Sequence, residues 1–114
     1  MDKIFNELNV AITVCDENGK ILEMNEASKK VNLKPGMPEI IGKNVLDCHP
    51  EPAKSKLAGM LQDPQTNVYT IEKNGVKKLI YQTPWYENGA FKGLVEFSIV
   101  IPFEMPHYIR QPKA

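Results

Sequence analysis

Apolar positions along the first quarter of the chain predict a short helix followed by a β-hairpin. Ile4, Phe5 and Leu8 fall on one side of a helix over residues 2–8, with Asp2 as its cap. The apolar run "NVAITV" and a second run at 20–24 then flank the turn "DENG". Because Asn-Gly adopts the positive φ angles of tight turns, the two runs are predicted to pair as antiparallel strands.

The middle of the chain predicts short helices around one irregular loop. "NEASKKV" begins a helical turn at Asn25, and "NLKPGMPEI" interrupts regular structure with two prolines and a glycine. A further turn at 42–47 leads into "DCHP", after which residues 51–63 predict a helix. Its apolar stripe is formed by Ala53, Leu57, Met60 and Leu61.

The last third predicts three antiparallel strands joined by two Asn-Gly turns, at 74–75 and 88–89. In the final strand Val95, Phe97, Ile99 and Ile101 alternate with a second row, which we expect on the outer face of the sheet: Leu94, Glu96, Ser98 and Val100. Half of that row is apolar, which indicates contact with something other than water. The preceding strand places Tyr81 and Trp85 on one face, and the pattern leaves open whether that face lines a pocket or forms an interface.

Composition narrows the class of protein. The 114 residues are 42% hydrophobic and 25% charged, with 14 basic against 14 acidic side chains, as expected of one globular domain without affinity for nucleic acid or membrane. The absence of a signal-peptide pattern and the small number of cysteines indicate a cytoplasmic protein with reduced Cys15 and Cys48. We divide the chain into an N-terminal helix at 1–8, a domain at 9–103 and a loose tail at 104–114.

From about residue 9 to 101 the sequence resembles the PAS sensory domains of bacteria. The resemblance rests on three groups of residues in the right order: Asp16, Gly19 and Asn25; Gly42, Lys43 and Asn44; and Pro84, Gly89 and Gly93. It implies an α+β fold, with a five-stranded antiparallel sheet in the order 2-1-5-4-3. It also implies that short helices cover one face and enclose a pocket. Where many PAS domains end on an Asp-Ile-Thr motif, this chain has Ile101, Pro102 and Phe103.

The adjacent Cys48 and His49 are the candidate metal ligands. PAS relatives that bind heme hold iron through a histidine near the long helix, so heme is the leading candidate cofactor, with His49 or Cys48 as the iron ligand. A redox role for the thiol is an alternative. In a purely structural interpretation, His49 caps the following helix and Cys48 packs as a small apolar residue. A flavin adduct is not expected, because Val45 stands where flavin photosensors carry cysteine.

Zinc and nucleophilic catalysis are not indicated. Cys15, Cys48, His49 and His107 lack the paired spacing of zinc sites. Cys48 and His49 are a poor nucleophile and base pair, because adjacent residues rarely aim their side chains at each other.

The sequence therefore predicts a non-catalytic sensory module in bacterial signal transduction that binds a small molecule, a partner protein or both. The candidate pocket residues are Cys48, His49, Leu57, Met60, Tyr69, Tyr81, Trp85 and Phe97. A homodimer is expected through Ile4, Phe5, Leu8, Leu94 and Val100, which would otherwise expose apolar area. Two alternatives remain open, a heme-based redox or gas sensor and a structural dimerisation module without ligand.

Overall fold

The computed structural model describes residues 1–33 and 40–113, and most of the irregular loop predicted at 32–40 lies outside them. The described chain forms one antiparallel sheet in the order β2-β1-β5-β4-β3, with short helices, as predicted. The helices are α1 (Lys3–Asn6), α2 (Glu26–Asn32), a 3-10 helix (Val45–Cys48) and α3 (Ala53–Gln62). The strands are β1 (Ala11–Asp16), β2 (Ile21–Met24), β3 (Asn67–Lys73), β4 (Val76–Glu87) and β5 (Ala90–Ile101).

Asn-Gly pairs make both turns of the predicted meander. Asn74 and Gly75 have φ of 53° and 76°, and Asn88 and Gly89 have φ of 51° and 81°. Two successive positive φ angles match the right-handed twist of the flanking strands, so β3, β4 and β5 follow one another directly. This part of the prediction is confirmed.

One buried amide connects the N-terminal helix, the first strand and α2. Asn25 is fully buried, and its Nδ2 donates to the carbonyl oxygens of Phe5 (2.9 Å) and Val10 (2.7 Å). Its Oδ1 accepts from the backbone N–H groups of Ile12 (2.9 Å) and Ser28 (3.0 Å), the second of which caps α2. All four hydrogen-bonding positions of the amide are therefore filled by backbone groups.

The core lies between the helices and the concave face of the sheet. Leu57 and Met60 of α3 are buried against it, as the apolar stripe of the predicted helix requires. The cluster consists of Cys15, Ile21, Met24, Ile40, Val45, Leu57, Met60 and Leu94. Strands that are distant in sequence contribute to this cluster, and so does α3. Its burial therefore holds the helices on one side of the sheet.

The prediction that Leu94 belongs to the outer face is wrong. Leu94 is 3% exposed, and it pairs with Cys15 on the concave side. The same row therefore carries Glu96, Ser98 and Val100 to the side of the sheet that faces the helices, so Val100 is not on the outer face either, while Phe97 points outward. The alternation was predicted correctly, but the row made entirely of apolar residues is the outward one, so hydrophobicity alone assigned the two rows to the wrong sides.

A glycine allows β5 to cross close to β1. Gly93 has a φ of 151°, and a Cβ atom added there would overlap the carbonyl oxygen of Cys15. The Nε1 of Trp85 donates to that same oxygen at 3.0 Å. Only a residue without a side chain fits between the two strands at this point.

Candidate ligand-binding site

A cavity of about 690 Å³ opens between the concave face of the sheet on one side and, on the other, the end of α2, residues 40–50 and the start of α3. Its apolar wall includes Ala11, Val31, Ile40, Ala53, Ile71 and Ile80. Its charged or titratable lining consists of Lys43, Asp47, Cys48, His49, Tyr69, Lys73, Lys78 and Glu96. An apolar chamber with a few polar groups is the usual composition of a small-molecule site.

His49 and Glu96 form an ion pair in the wall of this cavity. The Nε2 of His49 lies 3.0 Å from Oε1 of Glu96, and the two side chains are only 13% and 22% exposed. The other ring nitrogen, Nδ1, lies 3.0 Å from the carbonyl oxygen of Val45 in the 3-10 helix. The imidazole therefore joins the helical side of the cavity to the central strand β5.

Glu96 extends this connection across the sheet. The Nε2 of the buried Gln82 on β4 donates to Oε1 of Glu96 at 2.7 Å. Asn67 on β3 then donates through Nδ2 to Oε1 of Gln82 at 3.0 Å. A row of side-chain hydrogen bonds thus runs from His49 over β5 and β4 to the edge strand.

The electrostatic environment favours the charged form of both partners. Burial alone would lower the pKa of His49, but the hydrogen bond and the negative charge of Glu96 outweigh it and raise that pKa above its usual 6.5. Burial would likewise raise the pKa of Glu96, yet its bonds to His49 and Gln82 hold it below its usual 4.5. The pair is therefore imidazolium and carboxylate at mildly acidic pH.

This arrangement does not suit His49 or Cys48 as an iron ligand. Ligation needs the lone pair of a neutral imidazole, whereas here Nε2 of His49 contacts Glu96 and the raised pKa of the ring favours the proton. Partial burial and the charge of Asp47 also raise the pKa of the Cys48 thiol, which disfavours the thiolate that would bind iron. Among residues 1–33 and 40–113, no group of three or more His, Cys, Asp or Glu side chains is placed to hold a metal ion.

The structural interpretation of His49 also needs correction, because His49 does not cap α3. The carboxylate of Glu51 does so instead, accepting from the backbone N–H of Ser55 at 2.7 Å and from its hydroxyl at 2.6 Å. The "DCHP" segment nevertheless lies at the edge of the cavity, with Cys48, His49 and Pro50 among the lining residues.

The structure divides the other predicted pocket residues into three groups. Tyr69 lines the cavity together with Cys48 and His49. Leu57 and Met60 are core residues, Leu57 bordering a separate void of about 10 Å³. Tyr81, Trp85 and Phe97 lie on the outer face, where the rings of Tyr81 and Phe97 are 6.5 Å apart, edge to face.

Sequence reasoning missed Glu96 as a site residue. A carboxylate in the middle of the apolar strand "LVEFSIV" requires a buried partner, and this was the available signal. His49 was predicted, but the two residues are 47 positions apart, so their contact depends on strand register.

The candidate dimer residues are exposed, except one. Ile4, Phe5, Leu8 and Val100 are 68%, 46%, 42% and 62% exposed, whereas Leu94 is buried in the core and cannot contribute. Val100 lies in the same row of β5 as Leu94 and therefore not on the outer face of the sheet. No helix within the described ranges is long and apolar enough to cross a bilayer.

Comparisons with known proteins confirm the resemblance to PAS domains. A family model described as a PAS domain matches residues 1–101. The fold is similar to the PAS domain of the histidine kinase ThkA, with 15% identity over 81% of this chain and 99% of that one and a TM-score of 0.63. It is also similar to a sensory box sensor histidine kinase from Vibrio cholerae, with 14% identity, coverage of 90% and 89%, and a TM-score of 0.64. The Aer2 receptor of Vibrio cholerae, a dual PAS-heme oxygen sensor, has 20% identity, coverage of 82% and 95%, and a TM-score of 0.54. A comparison with curated proteins finds no match.

Proposed function

Because the chain belongs to the PAS domain family, we propose that it is a non-catalytic signalling module that binds a small organic molecule between its helices and sheet. The observation that carries the proposal is the cavity of about 690 Å³, whose size falls within the range of small-molecule sites. Its wall is apolar where an organic body would lie and polar at the His49–Glu96 pair.

The same pair supplies a route from occupancy to output. His49 belongs to the helical side of the cavity and Glu96 to the sheet, so an occupant that alters their contact changes how the two layers meet. Such a ligand must bind the two arrangements with different affinity, because only a difference in binding free energy shifts the equilibrium. We propose that partner proteins respond to this shift.

Native mass spectrometry of the protein, purified from the cells that naturally produce it, tests the binding proposal. We expect a small-molecule adduct on the wild-type chain that is lost after denaturation. Ser98→Phe places a bulky ring on the cavity floor and should abolish the adduct, whereas Thr70→Phe, on the exposed side of β3, should retain it. A wild-type chain that carries no adduct, or an adduct equally present in Ser98→Phe, contradicts ligand binding in this cavity.

A heme-based sensor is the alternative proposal, which the similarity in fold to the Aer2 receptor suggests. It would require His49 to leave Glu96, which would strip a carboxylate of its cationic partner. An absorption spectrum of the same preparation distinguishes the two. A Soret band that disappears in His49→Ala would favour heme over an organic ligand.

We also propose a homodimer through α1 and the outer face of the sheet. Ile4 and Phe5 on α1 and Leu8 just after it expose apolar area, and the half-buried Val95, Phe97 and Ile99 form the outward row of β5. A second copy covers this area, because isologous contacts are the commonest way in which soluble proteins bury an exposed apolar patch. A structural dimerisation module without ligand would use the same surface.

Phe5→Asp is expected to convert this dimer to a monomer, since two carboxylates would be desolvated at the interface. Only the backbone oxygen of Phe5 bonds to Asn25, so the fold should survive. Light scattering after size-exclusion chromatography reads out the mass. Ile109→Asp, which changes an 86% exposed residue outside the patch, is the control and should leave the mass unchanged. A dimeric Phe5→Asp protein would mean that another surface joins the copies.

A further inference from the structure

The concave face of the sheet changes chemistry along the strands. One cross-strand row holds Gln82 and Glu96, and the next holds Ile80 and Ser98. Beyond them Lys78 stands opposite Ile71 of β3. The floor of the cavity therefore runs from an acidic end, over an apolar middle, to a basic end.

The acidic end has an unused hydrogen-bond acceptor. Oε1 of Glu96 accepts from both His49 and Gln82, while Oε2 has no donor among the described residues. Glu96 is 22% exposed and lines the cavity, and no side-chain oxygen without a partner is fully buried among the described residues, so Oε2 keeps accessible surface. The bonds through Oε1 hold the carboxylate in place, so a ligand that donates to Oε2 would not have to order it first.

The basic end has unpaired positive charge. Lys73 on β3 and Lys78 on β4 line the cavity at this end, and within residues 1–33 and 40–113 neither has a carboxylate within ion-pairing distance. The third lining lysine, Lys43, lies near Cys48 instead, and Asp47 is the remaining acid of the described lining. Half-buried Lys78 lies beside the apolar floor, next to Ile80 on the same face of β4 and opposite Ile71 of β3.

We propose, on the basis of the ligand-binding role above, that the cavity takes an unbranched organic acid with an N–H or O–H donor at its far end. The donor bonds to Oε2 of Glu96, the chain lies over Tyr69 and Ile80, and the carboxylate meets Lys78. Along β4 the residues Gln82 and Lys78 are about 13 Å apart at the usual strand rise. A six-carbon chain spans most of that distance, and the lysine stem covers the rest.

Four probes test this assignment in amide NMR titrations at mildly acidic pH: ε-aminocaproate, ε-hydroxycaproate, caproate and hexylamine. At least one of the two double-ended probes should bind about tenfold more tightly than caproate and hexylamine, and shift the amides of Ile80 and Ser98. The comparison between the amino and hydroxy acids identifies the donor. Caproate binding as tightly as both double-ended probes would overturn the role of Glu96.

Variants assign each end separately. Glu96→Gln should reduce the advantage of the better double-ended probe over caproate to within about twofold. Lys78→Met should weaken the binding of all three acid probes about tenfold. The control Lys77→Met, on the opposite face of β4, should leave their binding unchanged. Equal affinities in Lys78→Met and Lys77→Met would overturn the basic end. A cellular adduct in native mass spectrometry together with no response to any probe would reject this ligand class while leaving the proposed function intact.

Discussion

Replacing Gly93 with alanine is expected to lower the free energy of unfolding by at least about 4 kcal/mol, which is most of the stability of a marginally stable domain. The added Cβ would overlap the carbonyl oxygen of Cys15 in the neighbouring strand, at a φ of 151° that alanine rarely adopts. Relief requires β5 to move away from β1. That movement would also weaken the bond from Trp85 to the same oxygen.

Urea denaturation followed by circular dichroism measures this effect, and two other glycines separate its causes. Gly89→Ala also forces alanine into positive φ, at 81°, but no atom lies within 4 Å of the new Cβ, so we expect a loss of about 1–2 kcal/mol. Gly59→Ala lies in α3 with open space around it and should stabilise by about 0.5–1 kcal/mol. If Gly93→Ala costs no more than Gly89→Ala, the close approach of β5 and β1 is not as described.

The second large effect is expected from His49→Ala, which should lower the free energy of unfolding by about 3 kcal/mol. The loss arises because Glu96 remains as a charge that is 22% exposed and has lost its cationic partner. Combining His49→Ala with Glu96→Gln removes that charge, so the double variant should lose less than the sum of the two single variants. Additive losses would show that the two side chains do not interact.

The stability that this pair contributes should depend on pH in both directions. The pKa of His49 is raised, so its share is fully present below 6.5 and is lost as pH rises through the folded-state pKa. The pKa of Glu96 is lowered, so its share is fully present above 4.5 and is lost as pH falls through the folded-state pKa. The contribution is therefore largest between pH 4.5 and 6.5.

Denaturation curves of wild type and His49→Ala, measured from acidic pH through this window to alkaline pH, give the contribution as a difference in which unrelated titrations cancel. The nearby Cys48 and Tyr69 have raised pKa values and stay neutral throughout the window. A difference that does not vary between mildly acidic and alkaline pH would contradict the ion pair.

Local sequence signals predicted the elements of this fold well, because they act within a few residues. The Asn-Gly turns at 74–75 and 88–89 determine their hairpins through backbone conformation alone. The strand order came from the resemblance, since it depends on which distant strands meet. The sides of β5 were assigned wrongly because Leu94 and Phe97 are equally apolar, and the deciding contacts come from α3 and the 3-10 helix.

Only part of the candidate site could be predicted, because its residues come together through contacts between distant segments. The unusual "DCHP" segment drew attention to His49, but its partner Glu96 lies in another element and can be identified only once the strands are in register. The aromatic residues were grouped by type. Alternation along β4 separates Tyr81 and Trp85, on the outer face, from the cavity side of the sheet.

The buried amide of Asn25 couples the N-terminal helix to the wall of the cavity. One side chain holds both the end of α1 and the first turn of α2, and the last turn of α2 reaches the cavity through Val31 and Asn32. If a ligand repositions α2, the proposed dimer surface on α1 shifts with it. Thermodynamic reciprocity then requires that a ligand which tightens self-association several-fold binds the dimer more tightly than the monomer by that same factor.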